Sequence, residues 1–135
     1  MDEYGLLGQR FISNQTISVG KDKHMAFDTL IGHFVYGGEE YSFVTTTELK
    51  FNQNGGRWVT NIGVQTGSDK VKEMLYDLFN HQLKIKIKFD LRRGKQVVVH
   101  DCHVRKYIPY TFGAQAEIEG YMESIEYVQE KVQFT

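Results

Sequence analysis

"LKIKIKFD", Leu83 to Asp90, switches between apolar and charged residues at every step. Successive side chains of a strand point to opposite faces, so Leu83, Ile85, Ile87 and Phe89 line one side and Lys84, Lys86, Lys88 and Asp90 the other. The stretch is a half-buried strand. Going forward, "LRRGK" turns the chain into "QVVVHDCHVRKY", and after Pro109 and Gly113 a last strand runs from Ala114 to about Val128. In that strand Ala116, Ile118 and Met122 alternate with Glu117, Glu119 and Glu123, then the phase slips at Ile125 and Tyr127, which predicts a bulge near Ser124.

Going backward, Val71, Met74, Leu75, Leu78 and Phe79 fall at i, i+3, i+4, i+7 and i+8, with Lys72, Glu73, Asp77 and Asn80 on the opposite side. Ser68 or Asp69 can cap this helix, which spans about residues 69–81. Upstream of it, Trp58, Thr60, Ile62 and Val64 alternate, and "NQNGG" (52–56) is a hairpin turn. Tyr41, Phe43, Thr45, Thr47, Leu49 and Phe51 share a face of one long strand, which is expected to bend or bulge. "LIGHFVY" (30–36) precedes the Gly37-Gly38 turn. Residues 1–29 are irregular and read as an arm, not a core element, with Phe11 and Ile12 among its apolar pieces. Three strands, a helix and three strands with short connections predict an all-β dominated domain over 30–135, an antiparallel β-sandwich or barrel with one flanking α-helix.

At 135 residues the chain is long enough for one core. Its net charge of −1 gives no general attraction to nucleic acid or anionic membrane, and it weakens the self-repulsion that keeps proteins apart. Cys102 is the single cysteine, so no intrachain disulfide is possible. "MDEYGLLGQRF" carries acids where a secretory signal carries bases, and no stretch approaches the roughly 20 apolar residues of a membrane span. The expectation is a soluble protein made in the cytosol, without a membrane partner.

"VVVHDCH" (97–103) holds four adjacent metal-ligand types. Strand alternation places His100 and Cys102 on one face and Asp101 and His103 on the other, so they do not converge, and His24, His33 and His81 sit at no ligand spacing. No metal is expected. The same alternation separates Cys102 from His103 as a nucleophile pair and makes Cys102 a small, half-buried hydrophobe. Glu117, Glu119 and Glu123 share a face, but paired catalytic carboxylates need one member in a desolvating pocket, which no motif here supplies. Neither a phosphate-binding loop nor a nucleophile elbow occurs, so neither an enzyme nor a cofactor is expected. Lys84, Lys86, Lys88, Arg92, Arg93, Lys95, Arg105 and Lys106 crowd one hairpin, and the next strand carries Glu117, Glu119, Glu123 and Glu126. Three readings follow: pairing across the sheet or between identical subunits, a solvated face, or a track for a phosphate backbone.

The succession "TGSDKVKEMLYDLFNHQ", "LKIKIKFD", "KQVVVHDCHVRKYIPY" and "AQAEIEGYMESIEYV", together with "FVYGGEEYSFV", resembles the tail-tube superfamily. That superfamily comprises the tube proteins of long-tailed bacteriophages, their counterparts in contractile injection machines and the hemolysin-coregulated tube protein of type VI secretion. The resemblance covers about residues 30–128 and lies in order and spacing. It implies a tail-tube-like fold without catalytic residues, with six copies joining edge to edge into rings that stack as a hollow tube. The implied partners are further copies, sheath, baseplate or tape-measure proteins, and DNA passing without sequence-specific binding, or effectors. The implied location is a virion tail made in the host bacterial cytoplasm, or a bacterial cytoplasm with release by an injection machine. Lys84, Lys86, Lys88, Arg92, Arg93, Glu117, Glu119 and Glu123 are then candidates for inter-subunit or lumen electrostatics, and Phe11 and Ile12 for arm contacts. A tube-end initiator or terminator ring shares the expectation. The rival from another class is a monomeric nucleic-acid-binding barrel using the lysine strand.

Overall fold

The computed structural model describes residues 15–19 and 22–127. In chain order these form β1 (Gln15–Val19), β2 (Asp22–Phe27), β3 (Ile31–Tyr36), β4 (Glu39–Thr45), β5 (Leu49–Asn54), β6 (Arg57–Thr66), α1 (Asp69–Asn80), β7 (Ile85–Asp90), a 3₁₀ turn (Arg92–Gly94), β8 (Lys95–Tyr110) and β9 (Gly113–Tyr127). All pairings are antiparallel. β6, β4, β3, β7, β8 and β9 form a six-stranded barrel, closed where β6 meets β9 through eight residue pairs from Val59↔Tyr121 to Thr66↔Ala114. From the N-terminal half of β6 the sheet continues outward through β5, β2 and β1.

The alternation in the sequence becomes inside and outside. Ile87 and Phe89 of β7, Ile62 and Val64 of β6, and Ala116 and Ile118 of β9 are buried, and their neighbours in sequence face out. Fully burying each large apolar side chain stabilises the fold by about 1.5–3 kcal/mol. Phe43 meets Phe89 edge-on at 6.2 Å between ring centroids and Phe34 at 6.0 Å. Helix α1 starts where expected: the Ser68 hydroxyl accepts a hydrogen bond from the Val71 amide at 3.3 Å. It buries Val71, Met74, Leu75 and Leu78 in the core, and Phe79 stacks on Tyr107 of β8.

The structure departs from the sequence reading at the arm and locates the long strand's bend. Within residues 1–29, 15–19 and 22–27 form the β1–β2 hairpin on the edge of β5, and Phe27 is a core residue in edge contact with Phe51, so this part is not a bare arm. The long strand is broken at residues 46–48, where the Thr46 amide donates to the Gly63 carbonyl at 2.8 Å. A Cβ on Gly63 would lie 2.5 Å from Thr46 Oγ1, so the crossing needs glycine's bare backbone. The break lets β4 and β5 share one edge of β6: β4 pairs at Val64 and Gln65, β5 at Arg57 to Thr60. β4 turns into the barrel and β5 leaves it. The bulge in β9 falls at Glu123, between Val99↔Met122 and Val98↔Ser124, beside its expected place.

The β3–β7 seam is short, with Gly32↔Phe89 and His33↔Lys88 as its only residue pairs. A Cβ on Gly32 would stand 2.6 Å from one ring carbon of Phe43 and 2.8 Å from one of Phe89. Gly32→Ala is therefore expected to cost about 1–3 kcal/mol through overpacking. Urea unfolding checks this: the midpoint should fall with the slope unchanged.

Candidate functional site

The charged outer faces of β7, β8 and β9 are the candidate site. Barrel closure aims alternate residues of these strands at solvent, so the register decides which charges meet. Arg105 of β8 pairs with Glu119 of β9 at 3.0 Å, Lys106 with Glu117 at 4.0 Å, and Lys86 of β7 reaches over β8 to both oxygens of Glu123 at 3.1 Å. The three glutamates predicted for subunit contacts are thus each matched by a base of their own chain. Such exposed pairs contribute about 0–1 kcal/mol apiece, so they shape the surface field more than stability.

Of the other predicted site residues, Lys84 and Arg93 are exposed and Lys88 is half-buried beside Ile87 and Phe89 on the same strand. Among the described residues Lys84, Lys88 and Arg93 form no ion pair. The structure therefore does not bring the two predicted charge sets together as whole rows: Lys86 alone of the β7 lysines meets a β9 glutamate. The Arg92 side chain, Phe11 and Ile12 lie outside the described residues.

A second set of unmatched charges was not singled out as a site from the sequence. Asp69, Glu73 and Asp77 recur every fourth residue along α1, all exposed, and none forms an ion pair among the described residues. The i, i+4 spacing was the available signal. The bases of the helix are engaged by other groups: Lys70 pairs with Glu39 at 2.7 Å, a hydrogen bond that raises its pKa, and lies over the Tyr41 ring, while Lys72 donates to the Tyr110 carbonyl at 2.8 Å. Asp69, Glu73 and Asp77 border an open cleft of about 440 Å³ together with Lys72, Tyr76 and Tyr107.

The "VVVHDCH" stretch departs from simple alternation. Asp101 has φ +52°, and the β8–β9 register steps from His100↔Tyr121 to His103↔Glu119, so Asp101 is an extra residue in β8. His100 and Cys102 consequently do not share a face: Cys102 turns into the core between Val99 and Val104, while His100 and Asp101 contact each other at 3.3 Å near the surface. Gly120 makes the room, since a Cβ there would meet Val99 Cγ1 at 2.6 Å and Cys102 Sγ at 2.7 Å. Among the described residues no group of three His, Cys, Asp or Glu side chains is placed to hold a metal ion. A polar clasp spans the short seam: His33 contacts Glu40 at 3.3 Å through Nδ1 and Asp90 at 3.1 Å through Nε2, and Gln96 donates to Asp90 at 2.7 Å.

No described helix is long and apolar enough to cross a membrane. Comparison with protein-family models, curated proteins and solved structures gives no match to this chain.

Burial pushes the Cys102 thiol up to about 12 from an ordinary 9.0. A thiol-specific reagent near neutral pH is expected to label the native protein only as fast as it unfolds, and urea should accelerate labelling in step with loss of structure. The sign of the linkage follows. Below 9.0 both states keep the proton; between 9.0 and about 12 the unfolded chain releases it and the folded chain holds it, so this thiol's contribution to stability falls as pH rises through that window. Cys102→Ala removes that contribution, and its unfolding free energy should fall less steeply with pH there than the parent's.

Proposed function

We propose that this chain is the structural subunit of a hollow tube, of the phage tail-tube or injection-machine kind, in which six copies form a ring and stacked rings conduct DNA or effectors. The observation that carries the reading is that the sheet does not end with the barrel. It runs on through β5 and β2 to β1, the terminal strand of the order, whose outer edge no strand among the described residues pairs, so that its backbone donors and acceptors can meet another chain. An exposed edge of this kind is a template for pairing, and a closed ring of identical subunits satisfies every such edge at once.

The charge pattern supports the same reading. On the long β8–β9 ladder Arg105 and Lys106 are each matched to a glutamate, so that face carries little net field despite its many charges. A wall past which a polyanion moves must not hold it, and paired charges meet that requirement. In this reading the chain uses no cofactor and catalyses no reaction; sheath, baseplate or tape-measure proteins are its further partners, and the virion tail or an injecting bacterium its location. An initiator or terminator ring has the same subunit architecture.

One observation favours the nucleic-acid-binding alternative: Lys84, Lys88 and Arg93 stay unmatched and lie close in the chain. Three cations make a weak site, since each neutralised phosphate contributes a slope of about −0.7 in log affinity against log salt for single strands.

The decisive experiment is the solution mass by light scattering across a concentration series, with negative-stain images of the same samples. Rings or tubes of regular diameter are expected. A monomer at every concentration that binds single-stranded DNA tightly at low salt and loses it steeply as salt rises would replace the tube reading with the alternative.

A further inference from the structure

We propose that neighbouring copies dock through two different faces, the acidic face of α1 on one copy lying along the lysine face of β7 on the next. This deepens the tube reading and rests on it only in that copies associate.

Once the pairs made within the chain are set aside, two groups of unmatched charge stand out, apart from Arg57, whose guanidinium lies over the Tyr121 ring, and Glu126, which accepts from the Ser124 hydroxyl. Asp69, Glu73 and Asp77 stand on one helix; Lys84, Lys88 and Arg93 stand just before β7, on it, and in the turn that follows it. The chain's own bases leave the helix row open, because Lys70 is held by Glu39 and Lys72 by the Tyr110 carbonyl. Its own acids leave the lysine row open, because Glu117, Glu119 and Glu123 are taken by Lys106, Arg105 and Lys86. A second copy carries what each row lacks.

The rows also match in length. At 1.5 Å per residue the helix row from Asp69 to Asp77 spans about 12 Å. β7 begins at Ile85, and at the strand rise of about 3.4 Å per residue Lys84 lies at most about 14 Å from Lys88. A helix laid along the strand therefore brings both ends of the two rows together. The cleft beside the helix row is bordered by one base, Lys72, whose ammonium is held by the Tyr110 carbonyl, and adds apolar surface for lysine stems, since Tyr76 and Tyr107 line it next to Asp69, Glu73 and Asp77. An ammonium group entering it meets carboxylates and aromatic rings together.

The test reverses each face separately. Glu73→Lys with Asp77→Lys inverts the helix face and spares Asp69, whose carboxylate sits in the first turn of the helix. Lys84→Glu with Lys88→Glu inverts the strand face. Each double variant should need about tenfold or more higher concentration than the parent to associate, because like charges then oppose across the contact. An equimolar mixture of the two variants should associate as the parent does, since each supplies the sign the other's face now requires. Native mass spectrometry should find both variants in one complex. That rescue also shows that both variants fold.

The docking face is overturned if either variant associates like the parent, if the mixture gains nothing over its components, or if the parent itself fails to associate at low salt. Rings or tubes formed by both reversed variants would sink the face and leave the tube reading standing. Rescue by mixing without rings or tubes in the images would keep the face and sink the tube.

Discussion

The pairing of β6 with β9 is the constraint on which the rest depends. Without those eight residue pairs the strands would form an open sheet with two wet faces; with them, every alternating strand acquires an inside and an outside. Closure also forces strong tilt. Followed one way, the ladder from Gly32 runs through Phe89 and Val97 to Ile125 of β9, whereas from Ile31 the other way it runs through Val44 and Gln65 to Gln115. A barrel of only six strands has a narrow interior, which Phe34, Phe43 and Phe89 fill on one side. The glycines at 32 and 120 are where that interior has no space for a side chain.

Legibility in the sequence followed the strength of the alternation. Leu83 to Asp90 alternates without interruption and Arg57 to Gln65 nearly so, and their faces came out as read, although β7 begins only at Ile85. The helix had both its period and its cap. Where polar residues interrupt, the phase is lost. Thr45, Thr46 and Thr47 suit either face of a sheet, so nothing marked which of them left the ladder; the Gly63 carbonyl, distant in sequence, decides it. In His100-Asp101-Cys102-His103 three polar residues hide the extra one, and the space that Cys102 turns into lies against the bare backbone of Gly120 on the next strand. β2 was missed because "DKHMAF" has no period of its own; pairing with β5 and the burial of Phe27 hold it in place.

The candidate site was legible as composition and illegible as pairing. That bases and acids occupy successive strands is visible in the chain. Which base meets which acid depends on twist and on the register shifts of these ladders, one of them at Arg105 itself, and Lys86 passes over its immediate neighbour strand to reach Glu123. A count of charges in the hairpin therefore overstates what a phosphate backbone would find there: of the described bases on β7, β8 and the turn between them, Lys86, Arg105 and Lys106 are already neutralised from within.

What is left over bears on the kind of assembly. The net charge of −1 leaves local imbalance among the described residues: Asp69, Glu73 and Asp77 stand unmatched on α1, and Lys84, Lys88 and Arg93 on and beside β7. In a pair of copies, a contact between two different faces leaves one of each open unless both contacts form at once. A ring or a filament leaves none open along its length, because each copy gives one face and receives the other. The β1 edge, terminal among the described strands, does not choose between a pair and a ring or filament, because the same edge of a second copy can complete it as well as a different one can. Of the two features it is therefore the charge faces that favour head-to-tail repetition, the order that the proposed tube requires in its rings or along its axis.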